Sequence, residues 1–248
     1  MILQLSGIGK RFSDMVVIPD LALSVEEGEF VGVIGPNGAG KTTLFALIAG
    51  SLRCDSGDVR LDGRSVTQLS ANARCRAGIG RTFQIPQPFE TMTVYENALV
   101  AAAFGAGLHG EPARLAARDA LERCGMLGFG DIAAGRLTLL QRKRLELARA
   151  IATRPRLLLL DEVAGGLTDG EMAQLLELVT AINASGVTVL WIEHLVHALV
   201  SVARRLIVLA EGRVIADGVP ETVLQDRTVR EVYLGAEVDD MEQSRVAH

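Results

Sequence analysis

The stretch that decides the fold is EFVGVIGPNGAGKTT, Glu29 to Thr43. It opens with a short run rich in β-branched residues, passes through a glycine-rich turn, and continues into KTTLFALIAG, whose apolar spacing is helical and stops at Gly50. Within it, GPNGAGKT (Gly35 to Thr42) matches G-x-x-x-x-G-K-[ST] between a strand and a helix. That chemistry needs these residue types. Glycines let the backbone curl so that successive N–H groups point inward around phosphate oxygens. The helix that follows adds its positive N-terminal end. The candidate cradle is Gly35, Pro36, Asn37, Gly38, Ala39, Gly40, Lys41, Thr42 and Thr43, with Lys41 reaching β/γ-phosphates and the Thr42 hydroxyl ligating Mg²⁺.

A phosphate loop also needs a carboxylate at the end of a neighbouring strand. RLLLLDE supplies Asp161 for the Mg²⁺ shell and Glu162 one residue later as a candidate general base. Side chains alternate along a strand, so Glu162 can face the same site only if it swings round at the strand's exit. No Asn-Lys-x-Asp guanine-reading motif is present, which argues against a GTPase.

Outward from this pair, RLLLLD, TDGEMAQLLELVTAINASG and VTVLWIE form a βαβ unit with parallel strands. DVRLDG reads as a strand ending in a turn, and RRLIVLAEGRVIADG as a hairpin turned at Glu211-Gly212. From Thr91 to about Ala152 the pattern is helical. Three Ser/Thr-x-x-Glu/Gln capping boxes are expected, at Thr93/Glu96, Thr138/Gln141 and Thr168/Glu171. The expected organisation is one domain over residues 1–235, with an α-helical subdomain at about 85–153 inserted in an α/β core. Residues 236–248 form an acidic tail expected to be flexible.

The chain has 248 residues and net charge −5, which argues against a nucleic-acid-binding face. Apolar residues make up 49%, yet no uncharged run reaches the ~18 residues needed to span a bilayer. VTVLWIEHLVHALVSV is broken by Glu193 and His194, and MILQLSGIGKRF lacks a signal-peptide pattern. Cys54, Cys75 and Cys124 are few and scattered, as in a reducing cytosolic setting, with no metal-ligand spacing.

Taken alone, Gln84 reads as a loop amide, His194 as a strand-end core histidine, and Phe12, Trp191 and His197 as packing. Together with the phosphate loop and the Asp161-Glu162 pair, they stand in register with an ATP-binding-cassette (ABC) ATPase, which the sequence resembles over nearly its whole length. The resemblance implies a P-loop, RecA-like α/β fold with an N-terminal antiparallel β subdomain and an inserted α-helical subdomain. It implies ATP and Mg²⁺ as cofactors, with Thr42, Gln84 and Asp161 around the metal. Phe12 would stack on adenine, Gln84 would touch the attacking water, and His194 would contact the γ-phosphate. Catalysis would rest on Glu162, His194, Gln84 and Lys41. RTFQIPQPFETMTVYENALVAA, IEH and VREVYLG are similar to ATPases of branched-chain or hydrophobic amino acid importers. That implies transmembrane permease subunits, a second ATPase subunit, an indirectly engaged solute-binding protein, and a peripheral place on the cytoplasmic face of the membrane.

The family's Leu-Ser-Gly-Gly-Gln signature falls on LTLLQ, so Leu139 and Leu140 stand where glycines are usual. Thr138 keeps a hydroxyl, Gln141 keeps the last residue, and both would face the partner subunit's ATP. Arg142, Lys143 and Arg144 crowd the first turns, where a cation costs ~0.3–1 kcal/mol. Pairing with Glu146 at i+3 and i+4 is expected to offset part of that. Two further departures are Val163 for proline after Asp-Glu, and GGLT, which puts Thr168 where aspartate is usual. The expectation is a working but non-standard half-site. The alternatives are a subunit that hydrolyses ATP weakly beside an active partner, and a soluble non-transport ABC ATPase. A single cassette with only residues 85–136 between Gln84 and the signature argues against the last.

Overall fold

The computed structural model describes residues 1–232, so the acidic tail and the last three residues of VREVYLG lie outside the described residues. Six strands form the central sheet. They are β3 (Phe30–Ile34), β6 (Ile79–Arg81), β7 (Leu157–Asp161), β8 (Thr188–Ile192), β9 (Arg205–Ala210) and β10 (Arg213–Gly218), in the order β10-β9-β3-β8-β7-β6. All neighbours are parallel except the closing hairpin β9-β10, which turns at Glu211 and Gly212, both at positive φ. A four-stranded antiparallel sheet packs beside it in the order β2-β1-β4-β5, from β1 (Leu3–Phe12), β2 (Met15–Val25), β4 (Ser56–Leu61) and β5 (Arg64–Ser65).

The uninterrupted apolar strands make sense because the central sheet is buried on both faces. Along each strand, side chains alternate between two cores. Phe30, Leu158, Leu160, Val189, Trp191, Leu206 and Val208 face one core, built with the alanine-rich helices. Val31, Val33, Leu157, Leu159, Leu190, Ile192, Ile207 and Leu209 face the other, closed by the small sheet and by α1 (Lys41–Ala49). Trp191 is fully buried and stacks on Phe30 at 6.1 Å, in line with its reading as packing. His197, on α7 (Val196–Val200), is exposed instead, because the side of this short helix that packs carries Ala198 and Leu199.

Between β6 and β7 the chain leaves the sheet for α3 (Val94–Val100), α4 (Glu111–Arg123) and α5 (Leu139–Ala152). Small buried side chains, among them Ala98, Ala102, Ala113, Ala116, Ala117 and Ala120, let these helices pack closely. Buried Asn97 accepts from Phe89 N at 2.8 Å and donates to Phe89 O and Thr93 O, fixing the turn ahead of α3. All three capping boxes form: Thr93/Glu96 on α3, Thr138/Gln141 on α5, and Thr168/Glu171 on α6 (Asp169–Ala184), the crossover helix of the βαβ unit. Two short helices, α2 (Ala71–Arg76) and α8 (Pro220–Gln225), complete the α-helices, and a π-helical turn at Ala101–Gly105 and 3₁₀ turns at Leu127–Phe129 and Ala134–Arg136 lie within the helical insert.

The basic residues of α5 correct one expectation. Arg142 and Lys143 do not pair with Glu146. Arg142 turns back to donate to Leu137 O and Gly135 O and pairs with Glu90 at 3.2 Å. Lys143 is buried, and Arg144 donates to Gln174. Glu146 is taken by Arg149 at 2.8 Å, one turn further along on the buried side of the helix. Carbonyls left open at the preceding turn offer Arg142 fixed acceptors near the helix start, which a flexible i+4 pair cannot match.

Candidate active site

The phosphate loop links β3 to α1. At Gly35 a Cβ would lie 2.0 Å from Leu209 O on β9, so no other residue lets the loop leave the sheet here. Gly40 begins α1 at φ 96° and offers no side-chain cap. In contrast to α3, α5 and α6, the amides of α1's first turn are therefore left for a ligand rather than for the protein's own side chains. Lys41 is buried against the loop and donates from Nζ to Gly35 O at 2.7 Å and Pro36 O at 3.0 Å. Burial lowers its pKa, while the charges of Glu162 and Asp161 act the other way.

Parallel strands deliver the other groups, because β6, β7 and β8 are neighbours and all end at the same edge, beside β3. Such an edge is where open α/β sheets bind ligands. Glu162, just beyond β7, adopts φ 49°, a left-handed conformation uncommon outside glycine. That twist is the swing the sequence demanded. One Glu162 oxygen accepts from Gln84 Nε2, beyond β6, and the other lies 2.6 Å from His194 Nε2, beyond β8. Three residues far apart in sequence thus meet on one carboxylate.

A cleft of about 330 Å³ runs past this cluster, lined by Asn37 to Thr43, Glu162 and His194, and at its apolar end by Phe12, Met15 and Val17. Phe12 is 42% exposed, with one face under Lys10 Nζ at 5.4 Å. Met15 and Val17 were not singled out from the sequence. They come to the cleft only because β1 and β2 fold back on each other as an antiparallel pair.

Asp161 is buried behind the cleft and held by Arg81 Nη2 at 2.9 Å. Burial raises its pKa, and Arg81 opposes that. Arg81 was missed, since a cation three residues before Gln84 carries no signal until β6 and β7 pair. No cluster of three or more His, Cys, Asp or Glu side chains is placed to hold a metal among the described residues. A Thr42 hydroxyl, an Asp161 carboxylate and a Gln84 amide are nonetheless hard oxygen donors. They suit Mg²⁺, which takes few protein ligands and fills its shell from phosphates and water.

Thr138 and Gln141 are not brought into this cleft. They cap α5, Thr138 Oγ accepting from Gln141 N and Gln141 Oε1 from Thr138 N at 3.0 Å. The side chain of Leu139, 44% exposed, lies against Gly166, whose absent Cβ would sit 3.3 Å from it. The start of α5 therefore touches the loop that follows Glu162. Glu193, given no role of its own in the sequence reading, is 2% exposed and accepts from Ala164 N at 2.6 Å.

The family model described as ABC transporter matches residues 18–165, and that described as branched-chain amino acid ATP-binding cassette transporter matches residues 213–239. The chain is 39% identical to the high-affinity branched-chain amino acid transport ATP-binding protein BraF of Pseudomonas aeruginosa, over 94% of this chain and 98% of that one. It is 33% identical to the lipopolysaccharide export system ATP-binding protein LptB of Haemophilus influenzae, over 94% and 97%. Among solved structures it matches the ADP conformation of MJ1267, an ATP-binding cassette of an ABC transporter, with TM-score 0.86 and 31% identity over 94% of this chain and 98% of that one.

Proposed function

This chain belongs to the ABC transporter family as an ATP-binding subunit and is an ATPase; from that premise we propose that it powers the import of branched-chain or related amino acids. It would do so as one domain over residues 1–235, working as a dimer on the cytoplasmic face of the membrane, beneath transmembrane permease subunits fed by a solute-binding protein. No described helix is long and apolar enough to cross the membrane itself.

The observation that carries the catalytic reading is the Glu162 carboxylate held between Gln84 and His194 at the mouth of the phosphate loop. In this reading the base stacks on Phe12, and the triphosphate lies along Gly35 to Thr43 with Lys41 released from the loop carbonyls onto the β/γ-oxygens. Thr42, Asp161 and Gln84 would hold Mg²⁺, which would supply charge neutralisation at the phosphates. Glu162 takes a proton from water as the water oxygen bonds to the γ-phosphorus and the bond to the ADP oxygen breaks. Gln84 orients that water, and His194 contacts the γ-phosphate while holding Glu162. Thr138, Gln141 and the start of α5 face the ATP of a second subunit and close the dimer.

Amino acid import is favoured over lipopolysaccharide export because the relative with higher identity is BraF and the C-terminal stretch fits the branched-chain cassette model. Glu162→Gln should bind MgATP with unchanged affinity but lose turnover by about 10²-fold or more; turnover within twofold of the parent chain removes Glu162 as the base. Cells lacking this chain should lose uptake of labelled leucine, isoleucine or valine and regain it with the parent gene. Normal uptake in those cells, with outer-membrane lipopolysaccharide depleted, would assign the chain to export instead.

A further inference from the structure

Glu193, beside His194, is buried and does not line the cleft. One carboxylate oxygen accepts from Ala164 N at 2.6 Å and the other from His194 N at 3.2 Å. Ala164 is fully buried two residues beyond Glu162, on a loop that carries Val163 where a rigid residue could have stood. Loop and histidine therefore share one fixed acceptor. A carboxylate is seldom placed at this depth, and burial pushes its pKa up while the two amides act against that. Across from it, the buried ammonium of Lys143 on α5 feels its charge. Leu139 of the same helix rests on Gly166 at the far end of the loop.

We propose that Glu193 is a positioning residue for ATP hydrolysis, its carboxylate pinning the loop after Glu162 to the start of the His194 segment so that base and histidine are presented together. It touches no nucleotide and takes no part in proton transfer. Its contribution is geometric. Glu162 sits at a strained positive φ, and the bonds of its carboxylate to Gln84 and His194 fix the side chain but not the loop beyond it. With Ala164 tied to Glu193, the Glu162-to-Gly166 segment keeps the carboxylate aimed at the cleft. Through Leu139 the same segment meets the capped start of α5. The inference rests on the ATPase reading of the site given above.

The test uses the full chain and four variants, Glu193→Ala, Glu193→Gln, Glu193→Asp and Glu162→Gln, with steady-state MgATP hydrolysis and equilibrium binding of a fluorescent ATP analogue. Misplacing a catalytic group by about 1 Å can cost about 10²-fold in rate. Glu193→Ala is accordingly expected to lower kcat by about 10- to 100-fold, with KM and analogue affinity within about twofold. Glutamine keeps a carbonyl oxygen for Ala164 N, and Glu193→Gln should recover kcat to within about threefold. Aspartate is one methylene too short to reach both amides and should behave as alanine does. If Glu193→Ala fails to fold, the contrast between Glu193→Gln and Glu193→Asp decides by the same measurements. Parental kcat in Glu193→Ala, KM rising in step with falling kcat, or Glu193→Gln no better than Glu193→Asp would overturn the proposal. An inactive Glu162→Gln beside a fully active Glu193→Ala sinks the positioning role alone. A fully active Glu162→Gln sinks the reading of the site and this inference with it.

Discussion

Removing Arg149 tests how the Gln84 segment is anchored. Its guanidinium donates from Nη1 to Glu146 Oε2 and to Gln87 O, both at 2.8 Å, and lies 5.2 Å from the Phe89 ring centre. Glu146, on α5, is 5% exposed, and the backbone amides of Phe83 and Gln87 favour its charged form. The pair thus holds the segment just beyond Gln84 at Gln87 and Phe89. Arg149→Ala leaves that carboxylate without its cation, a change worth about 3–5 kcal/mol in a fully buried pair. Arg149 retains 22% exposure, so water reaches the site and about 2–3 kcal/mol is expected. For a chain of this size that is a fall of about 4–12 °C in Tm.

The pH dependence has a definite sign. Burial already raises the Glu146 pKa and Arg149 opposes it, so the variant's value rises further. An acid with a raised folded pKa keeps a proton that the unfolded chain has shed, and stability falls as pH climbs from the ordinary carboxylate range through the raised value. The Tm deficit of Arg149→Ala, followed by circular dichroism, should therefore be larger at pH 8 than at pH 5. Adding Glu146→Gln should recover part of it. Equal deficits at the two pH values, or a shift under about 1 °C, would refute the argument.

Gly35→Ala forces a Cβ to within 2.0 Å of Leu209 O, so the loop must move off β9; binding of an ATP analogue should weaken at least about tenfold, and parental affinity would show that the loop adapts. Thr138→Ala removes the α5 cap at a cost of about 0.5–2 kcal/mol, seen in thermal melts, and should slow turnover in the assembled dimer without affecting nucleotide binding to one subunit. The thiol of Cys124 is fully buried and its pKa is pushed up to about 12, so maleimide at pH 7.5 should leave it unmodified until denaturant is added.

Local patterns sufficed for a good deal. GPNGAGKT, the apolar strands ending at Asp161-Glu162, the three capping boxes and the Glu211-Gly212 hairpin were legible because each depends on neighbours within a few residues, whose backbone geometry and hydrogen bonding are set locally. Gln84 and His194 could be placed only by family resemblance, since nothing near them in the chain states what they face. Tertiary structure alone decided that Gln84, Glu162 and His194 meet, because parallel pairing of β6, β7 and β8 brings three distant loops to one edge of the sheet. It decided the partners of charged residues too. Arg142, Lys143 and Glu146 have sequence spacing for helical pairs, yet burial and open carbonyls elsewhere outweigh the small energy of an exposed i+4 contact. Arg81 on Asp161 and Glu193 on Ala164 are of the same kind: a buried charge takes whichever fixed partner the fold delivers, and that partner is set by packing, not by sequence distance.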